Sequence, residues 1–254
     1  MTEGEAGRLA GREKIMSLFS KNATVVLVHG AWADGSSWSR MVLPLLQHGL
    51  KVICAPIPLT SLSDDAAALD RVIERTDGPV LLAGHAYAGA VIATTTGENV
   101  QGLVYIAALA PDEGETVAEV FYREKPHPQA PHLQPDAHGL IWMPPEGFQN
   151  AFAQKASDDV KSIIASVQRP IAVRCIQEPT PEPAWRSRPS WFLIAEEDRM
   201  ISPKTQRFMA ERMAAKVRVH RVDHTPLLTA PEVVVDIIRE AACETLTCQF
   251  ITYS

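Results

Sequence analysis

No apolar stretch in this 254-residue chain approaches the roughly 18 residues needed to cross a membrane. The opening "MTEGEAGRLAGREKIMSLFSK" mixes acids with bases and has no apolar core. It therefore reads as a tail or short helix and not as a secretion signal. Basic residues are in the minority: 24 Lys and Arg face 30 Asp and Glu, for a net charge of -6. Such a surface offers no broad positive face to a phosphate backbone, which argues against nucleic acid as a partner. Cysteine is scarce and scattered, at positions 54, 175, 243 and 248. Reduced thiols are expected from that spacing, with the cytoplasm as the compartment. Zinc spacing is missing as well. His127, His132 and His138 stand in a Pro-rich stretch of irregular spacing, and Cys243 with Cys248 offers only two ligands of one type. No metal is expected, and no internal repeat is visible.

What is present is an ordinary globular composition, 46% hydrophobic and 21% charged, at a length suited to one sizeable domain with an insertion. Short apolar runs alternate with helical patterns. "ATVVLVHG", "LKVICAPI", "PVLLAGH", "VQGLVYIAALA", "PSWFLIAEED" and "KVRVHRV" read as strands. Between them, "SLSDDAAALDRVIERTDG" begins on cap-forming Ser and Asp and ends on Gly78, and residues 87–96, "SPKTQRFMAERMA" and "PEVVVDIIREAA" complete the helices. Strands alternating with helices predict a mostly parallel sheet covered on both faces, an α/β fold. The alternation breaks between about 118 and 185, where "REKPHPQAPHLQPDAHGLIWMPPEG" precedes two amphipathic segments. An excursion of that length is expected to be a mainly helical cap over a site. The expected organisation is a tail at 1–22, a core at 23–117 and 186–245, the cap at 118–185 and a tail at 246–254.

Four pieces of chemistry fall at strand ends, where parallel α/β sheets build their sites. The first strand ends in His29-Gly30-Ala31-Trp32, and the third in Gly84-His85-Ala86-Tyr87-Ala88-Gly89. The fifth ends in Glu196-Glu197-Asp198-Arg199, and the sixth is followed by Asp223-His224-Thr225-Pro226. The strand, sharp turn and helix of "VLLAGHAYAGAVIA" match the layout that carries a nucleophilic serine in G-x-S-x-G. Here a methyl group stands at the tip, and the order of elbow, acid and histidine is otherwise intact.

The chain thus resembles the α/β-hydrolase superfamily over roughly residues 23–245. "VVLVHGAWADGSSW" and the elbow look most like the small capped esterases related to methyl-ester esterases and hydroxynitrile lyases. The resemblance implies His224 as base, Asp198 as its orienting carboxylate, and an oxyanion hole from the backbone N–H groups of Ala31 and Tyr87. It implies no metal and no organic cofactor. The family pattern reads Gly-His-Ser-Tyr-Gly-Gly, so this chain departs at Ala86, the replaced nucleophile, and again at Ala88. Two alanines point to a natural departure more than to a single engineered change, because an engineered one would leave Gly at 88.

Without the hydroxyl a covalent acyl-enzyme at residue 86 is excluded. A His–Asp dyad beside an oxyanion hole can still activate water, or remove a proton alpha to a carbonyl. The leading expectation is an enzyme acting on a small carbonyl compound, an ester or lactone. Its rivals are a lyase or cofactor-free oxygenase using the same base, a non-catalytic small-ligand-binding protein, and an esterase inactivated by loss of its serine. Trp32, His85 and Trp142 are assigned to the substrate pocket, although His85 also reads as packing beneath the elbow. Trp142, Met143 and Phe148 read equally as lid packing. His29 reads as structural, bonding backbone near the oxyanion loop, and Ser36 and Ser37 as a turn and helix cap. The methyl of Ala88 is expected to crowd the elbow. A small-molecule substrate is the expected partner, and a homodimer is left open.

Overall fold

The computed structural model describes residues 19–247. Cys248 and most of the two expected tails lie outside them. Six strands form the central sheet: β1 (Thr24–Val28), β2 (Lys51–Ala55), β3 (Val80–His85), β4 (Val100–Ile106), β7 (Ser190–Ala195) and β8 (Lys216–His220). Their order is β2-β1-β3-β4-β7-β8, with every neighbouring pair parallel. The expected α/β architecture is therefore present. β1, β3 and β7 are buried at every position, as strands covered on both faces must be, whereas the edge strands β2 and β8 are largely part-exposed.

The helices follow local chemistry. Ser61 caps Leu62–Ile73 by accepting from the Asp64 N–H, and Pro opens both Pro203–Arg212 and Pro231–Thr245, where its missing donor costs nothing. The helix Ser39–Gln47 carries no such signal, since Pro44 lies inside it; Met41 and Leu45 hold it in place by burial. The final helix packs Val234, Ile237 and Ile238 with Val25, Leu27, Leu81 and Trp191 on one side of the sheet.

On the other side the buried cluster joins Val28, Ala86 and Tyr87 to residues of 118–185, among them Ile141, Met143, Phe148, Phe152 and Ile171. That segment contains a small antiparallel pair, β5 (Leu140–Ile141) with β6 (Ile171–Ala172), a π-helical turn at Phe148–Phe152, and the helix Asp158–Ser166. It lies over the strand ends that hold the elbow. No described helix is long and apolar enough to cross a membrane.

Candidate active site

The elbow survives without its serine. Ala86 takes the left-handed backbone conformation, with φ of 52°. That geometry costs an L-residue roughly 1–2 kcal/mol, so neighbouring contacts must hold it. They do: Ala86 N–H donates to Ile106 O at 3.2 Å, and Ala86 O accepts from Gly89 N–H at 3.1 Å and Leu109 N–H at 3.0 Å. Glycine is needed at 84 and 89 because a Cβ would fall 2.8 Å from Ala88 O and 2.3 Å from Leu109 O. Ala88 meets no such constraint. It is not among the residues with positive φ, and it does not line the cavity beside Ala86. Its backbone is the ordinary helical one that opens Ala88–Ala93.

The loop after β1 closes against this turn. A Cβ on Gly30 would lie 3.1 Å from the Ala86 Cβ and 2.9 Å from His85 O, so Gly30 lets the two backbones meet. Beside that contact, the N–H groups of Ala31 and Tyr87 donate to no backbone acceptor among the described residues. Trp32 has φ of 57°, donates its N–H to Arg169 O at 3.1 Å, and its indole N–H to Ile141 O at 3.0 Å. Both bonds tie the loop to the 118–185 segment.

Asp198 and His224 are both buried, and His224 Nδ1 lies 2.8 Å from Asp198 Oδ2. The neighbouring acid Glu197 instead faces solvent and pairs with Lys155 and Arg221. Asp198 accepts three further bonds: from Met200 N–H at 2.7 Å, Ile201 N–H at 2.9 Å, and Gln206 Nε2 at 2.8 Å. With Nδ1 donating to the carboxylate, His224 has only Nε2 left for chemistry, and the residue lines the cavity that contains Ala86.

That cavity measures about 600 Å³ with its open mouth. Ala31, Trp32, Leu109, Phe152, Ile171 and Met200 form much of its wall, which among the described residues includes no Lys, Arg, Asp or Glu. Of the assigned pocket residues, Trp32 lines it and two do not. Trp142, just past β5, is 47% exposed and hydrogen-bonds Asp136 through its indole, whereas Ile141 at the end of β5 is buried. His85 sits beneath the elbow and donates from Nε2 to His224 O at 2.7 Å, and burial foremost lowers its pKa to about 3. Met143 and Phe148 are buried packing.

The remaining candidates take structural places. His29 Nδ1 lies 3.0 Å from Gly30 O, and burial lowers its pKa. Ser36 and Ser37 are engaged with Asp34, which caps the turn Gly35–Trp38. His127, His132 and His138 are exposed, and none lines the cavity. Two polar residues beside the site carry no signal in the sequence. Gln206 braces Asp198, and Asp65 accepts the Tyr87 phenol at 2.7 Å and the Cys175 thiol at 3.6 Å. Burial pushes the Asp65 carboxyl up and the Cys175 thiol up to about 12.

A model of the alpha/beta hydrolase family matches residues 25–237. The chain belongs to that family. The alpha/beta hydrolase nvfD of Aspergillus novofumigatus is 24% identical over 245 residues, spanning 87% of this chain and 97% of its own. Polyneuridine aldehyde esterase superimposes with a TM-score of 0.78 at 18% identity, covering 87% of this chain and all of that one. A variant of tomato methylketone synthase I, complexed with beta-ketoheptanoate, gives 0.75 at 15% identity, over 89% of this chain and 99% of that one. At these identities the structural likeness is one of fold.

Proposed function

We propose that this hydrolase-family chain is an enzyme that transforms a small, neutral, apolar carbonyl compound, an ester or lactone, without a covalent intermediate. The observation that carries the reading is the Asp198–His224 pair at 2.8 Å, whose histidine opens onto the same apolar cavity as Ala86. A receptor that only binds a ligand has no use for an imidazole oriented by a buried carboxylate. In the proposed reaction His224 Nε2 takes a proton from water as the water oxygen attacks the carbonyl carbon. The carbonyl oxygen gains charge and is met by the unpartnered N–H groups of Ala31 and Tyr87. Collapse breaks the bond to the leaving oxygen, which receives the proton back from the imidazolium. Segment 118–185 serves as the cap, excluding bulk water and supplying apolar contacts such as Phe121 and Ile176.

The magnitudes allow this. In a serine hydrolase, loss of the nucleophile still leaves on the order of 10³–10⁴-fold acceleration over water from the oxyanion hole and binding. A second reading uses the same atoms on a carbon acid, with His224 moving a proton at the alpha carbon while the hole holds the enolate. It is favoured by Ala86, which removes the acyl route, and by the beta-keto acid bound to the structural neighbour methylketone synthase I.

The test is a panel of neutral esters, lactones and beta-keto compounds, assayed with the wild-type chain and His224→Ala, with products identified by mass and by deuterium uptake from solvent. Turnover that vanishes in His224→Ala supports the proposal, and deuterium at the alpha carbon selects the second reading. Turnover that persists in His224→Ala, or none with any member while apolar carbonyl ligands still bind, overturns it.

A further inference from the structure

We infer that Gln206 is a positioning residue of the site, holding the carboxylate that fixes which nitrogen of His224 carries the proton. The inference rests on the dyad reading above and adds a residue to it. Gln206 lies on the helix Pro203–Arg212, is fully buried, and does not line the cavity. Three of the four hydrogen-bond positions of its amide are filled. Oε1 accepts from Ala195 N–H at 3.0 Å, while Nε2 donates to Asp198 Oδ2 at 2.8 Å and to Ile201 O at 2.9 Å. Turning the amide over would set an oxygen against a carboxylate and a carbonyl, and an NH₂ against a backbone N–H. Only one orientation satisfies all three partners.

The consequence runs along a chain of donors. The backbone N–H at the end of β7 orients the amide, and the amide donates to Asp198. With Met200 and Ile201 N–H on Oδ1 and Gln206 on Oδ2, the carboxylate has one acceptor position left, which faces His224 Nδ1. A donor is required there, so Nδ1 carries the proton and Nε2 is turned to Ala86 with its lone pair. A helix residue without contact to the reacting atoms thereby holds in place the carboxylate that sets the polarity of the base. Buried amides of this kind are expensive to leave half-paired, so a glutamine bonded in this way beside a functional carboxylate has a role in holding it.

The test is nuclear magnetic resonance of the full chain labelled with ¹⁵N-histidine at mildly alkaline pH, with His224 assigned by its substitution. It reads which ring nitrogen bears the proton and how fast that proton exchanges with water, without need of a substrate. The wild type should show Nδ1–H alone, slow to exchange. Gln206→Met removes donor and acceptor together, and should expose an Nε2–H population and speed the exchange roughly tenfold or more, the loss of one bond to a charged group. Gln206→Glu, buried against Asp198, shares a proton with it and keeps an O–H donor, so it should retain the Nδ1–H form. Wild-type signals in Gln206→Met, or loss of the Nδ1–H form in Gln206→Glu, overturn the inference. Should Gln206→Met fail to fold, Gln206→Leu is read in its place, and should neither fold, the inference fails, since the residue is then structural. A wild type lacking the Nδ1–H form would instead count against the dyad itself.

Discussion

His85 Nε2 donates a hydrogen bond to the carbonyl oxygen of His224 at 2.7 Å, so one imidazole at the elbow holds the backbone of the imidazole paired with Asp198. Burial first, and the charge of His224 second, push the pKa of His85 from 6.5 down to about 3, and burial also lowers that of His29. The unfolded chain therefore binds protons that the native fold refuses. Stability from this source is complete above about 6.5 and is lost as the pH falls toward about 3. Thermal or urea melts from neutral to acid pH should show a slope of up to about 1.4 kcal/mol per pH unit from one such histidine. His85→Gln keeps a donor for His224 O and should flatten that slope. An unchanged acid slope in His85→Gln would contradict the assignment.

The Tyr87 phenol donates to Asp65 at 2.7 Å, tying the elbow to the helix Leu62–Ile73. Tyr87→Phe removes that donor and leaves a buried carboxyl with Leu59 N–H and the Cys175 thiol alone. A loss of about 1–3 kcal/mol in urea unfolding is expected, with an unchanged denaturant slope. A variant as stable as the wild type would remove Asp65 from the account of the elbow.

Among the described residues the cavity wall carries no cation. A neutral apolar ester analogue should therefore bind at least about tenfold more tightly than the carboxylate of the same carbon skeleton, because the anion gives up water without a partner. Titration calorimetry on matched pairs measures this. Equal or tighter binding of the carboxylate would mean that the cavity is not the substrate site.

Position 89 tolerates no side chain and position 88 does. Gly89→Ala drives a methyl to 2.3 Å from Leu109 O and should cost about 1–3 kcal/mol through displacement of the elbow. Ala88→Gly should cost only about 0.5–1 kcal/mol, the price of glycine within a helix. Urea melts of the two variants compare them, and the reverse order would revive the expectation that the Ala88 methyl crowds the turn.

Much of the candidate site was legible because parallel strands buried on both faces are unbroken apolar runs, so the residues that follow them stand out. His29, Ala86, Asp198 and His224 all lie in such places. Gln206 and Asp65 were not legible, because a polar residue inside an amphipathic helix looks solvated until packing shows which face it takes. Trp142 shows a related limit: it follows the two-residue strand Leu140–Ile141, and nothing in an apolar run as short as "LIWM" says that Ile141 is buried and Trp142 is not. Pro44 hid the helix Ser39–Gln47, whose stability comes from tertiary burial and not from propensity.

Pre-steady-state kinetics with a chromogenic apolar ester bear most directly on the proposal that the dyad works without a nucleophile. The chain should turn over linearly, with no burst and no acyl adduct by intact mass, and His224→Ala should slow it by at least about 10²-fold. An inert wild type beside an Ala86→Ser variant that gives a full burst and a covalent acyl-enzyme would contradict it, and would make this chain an esterase that has simply lost its serine.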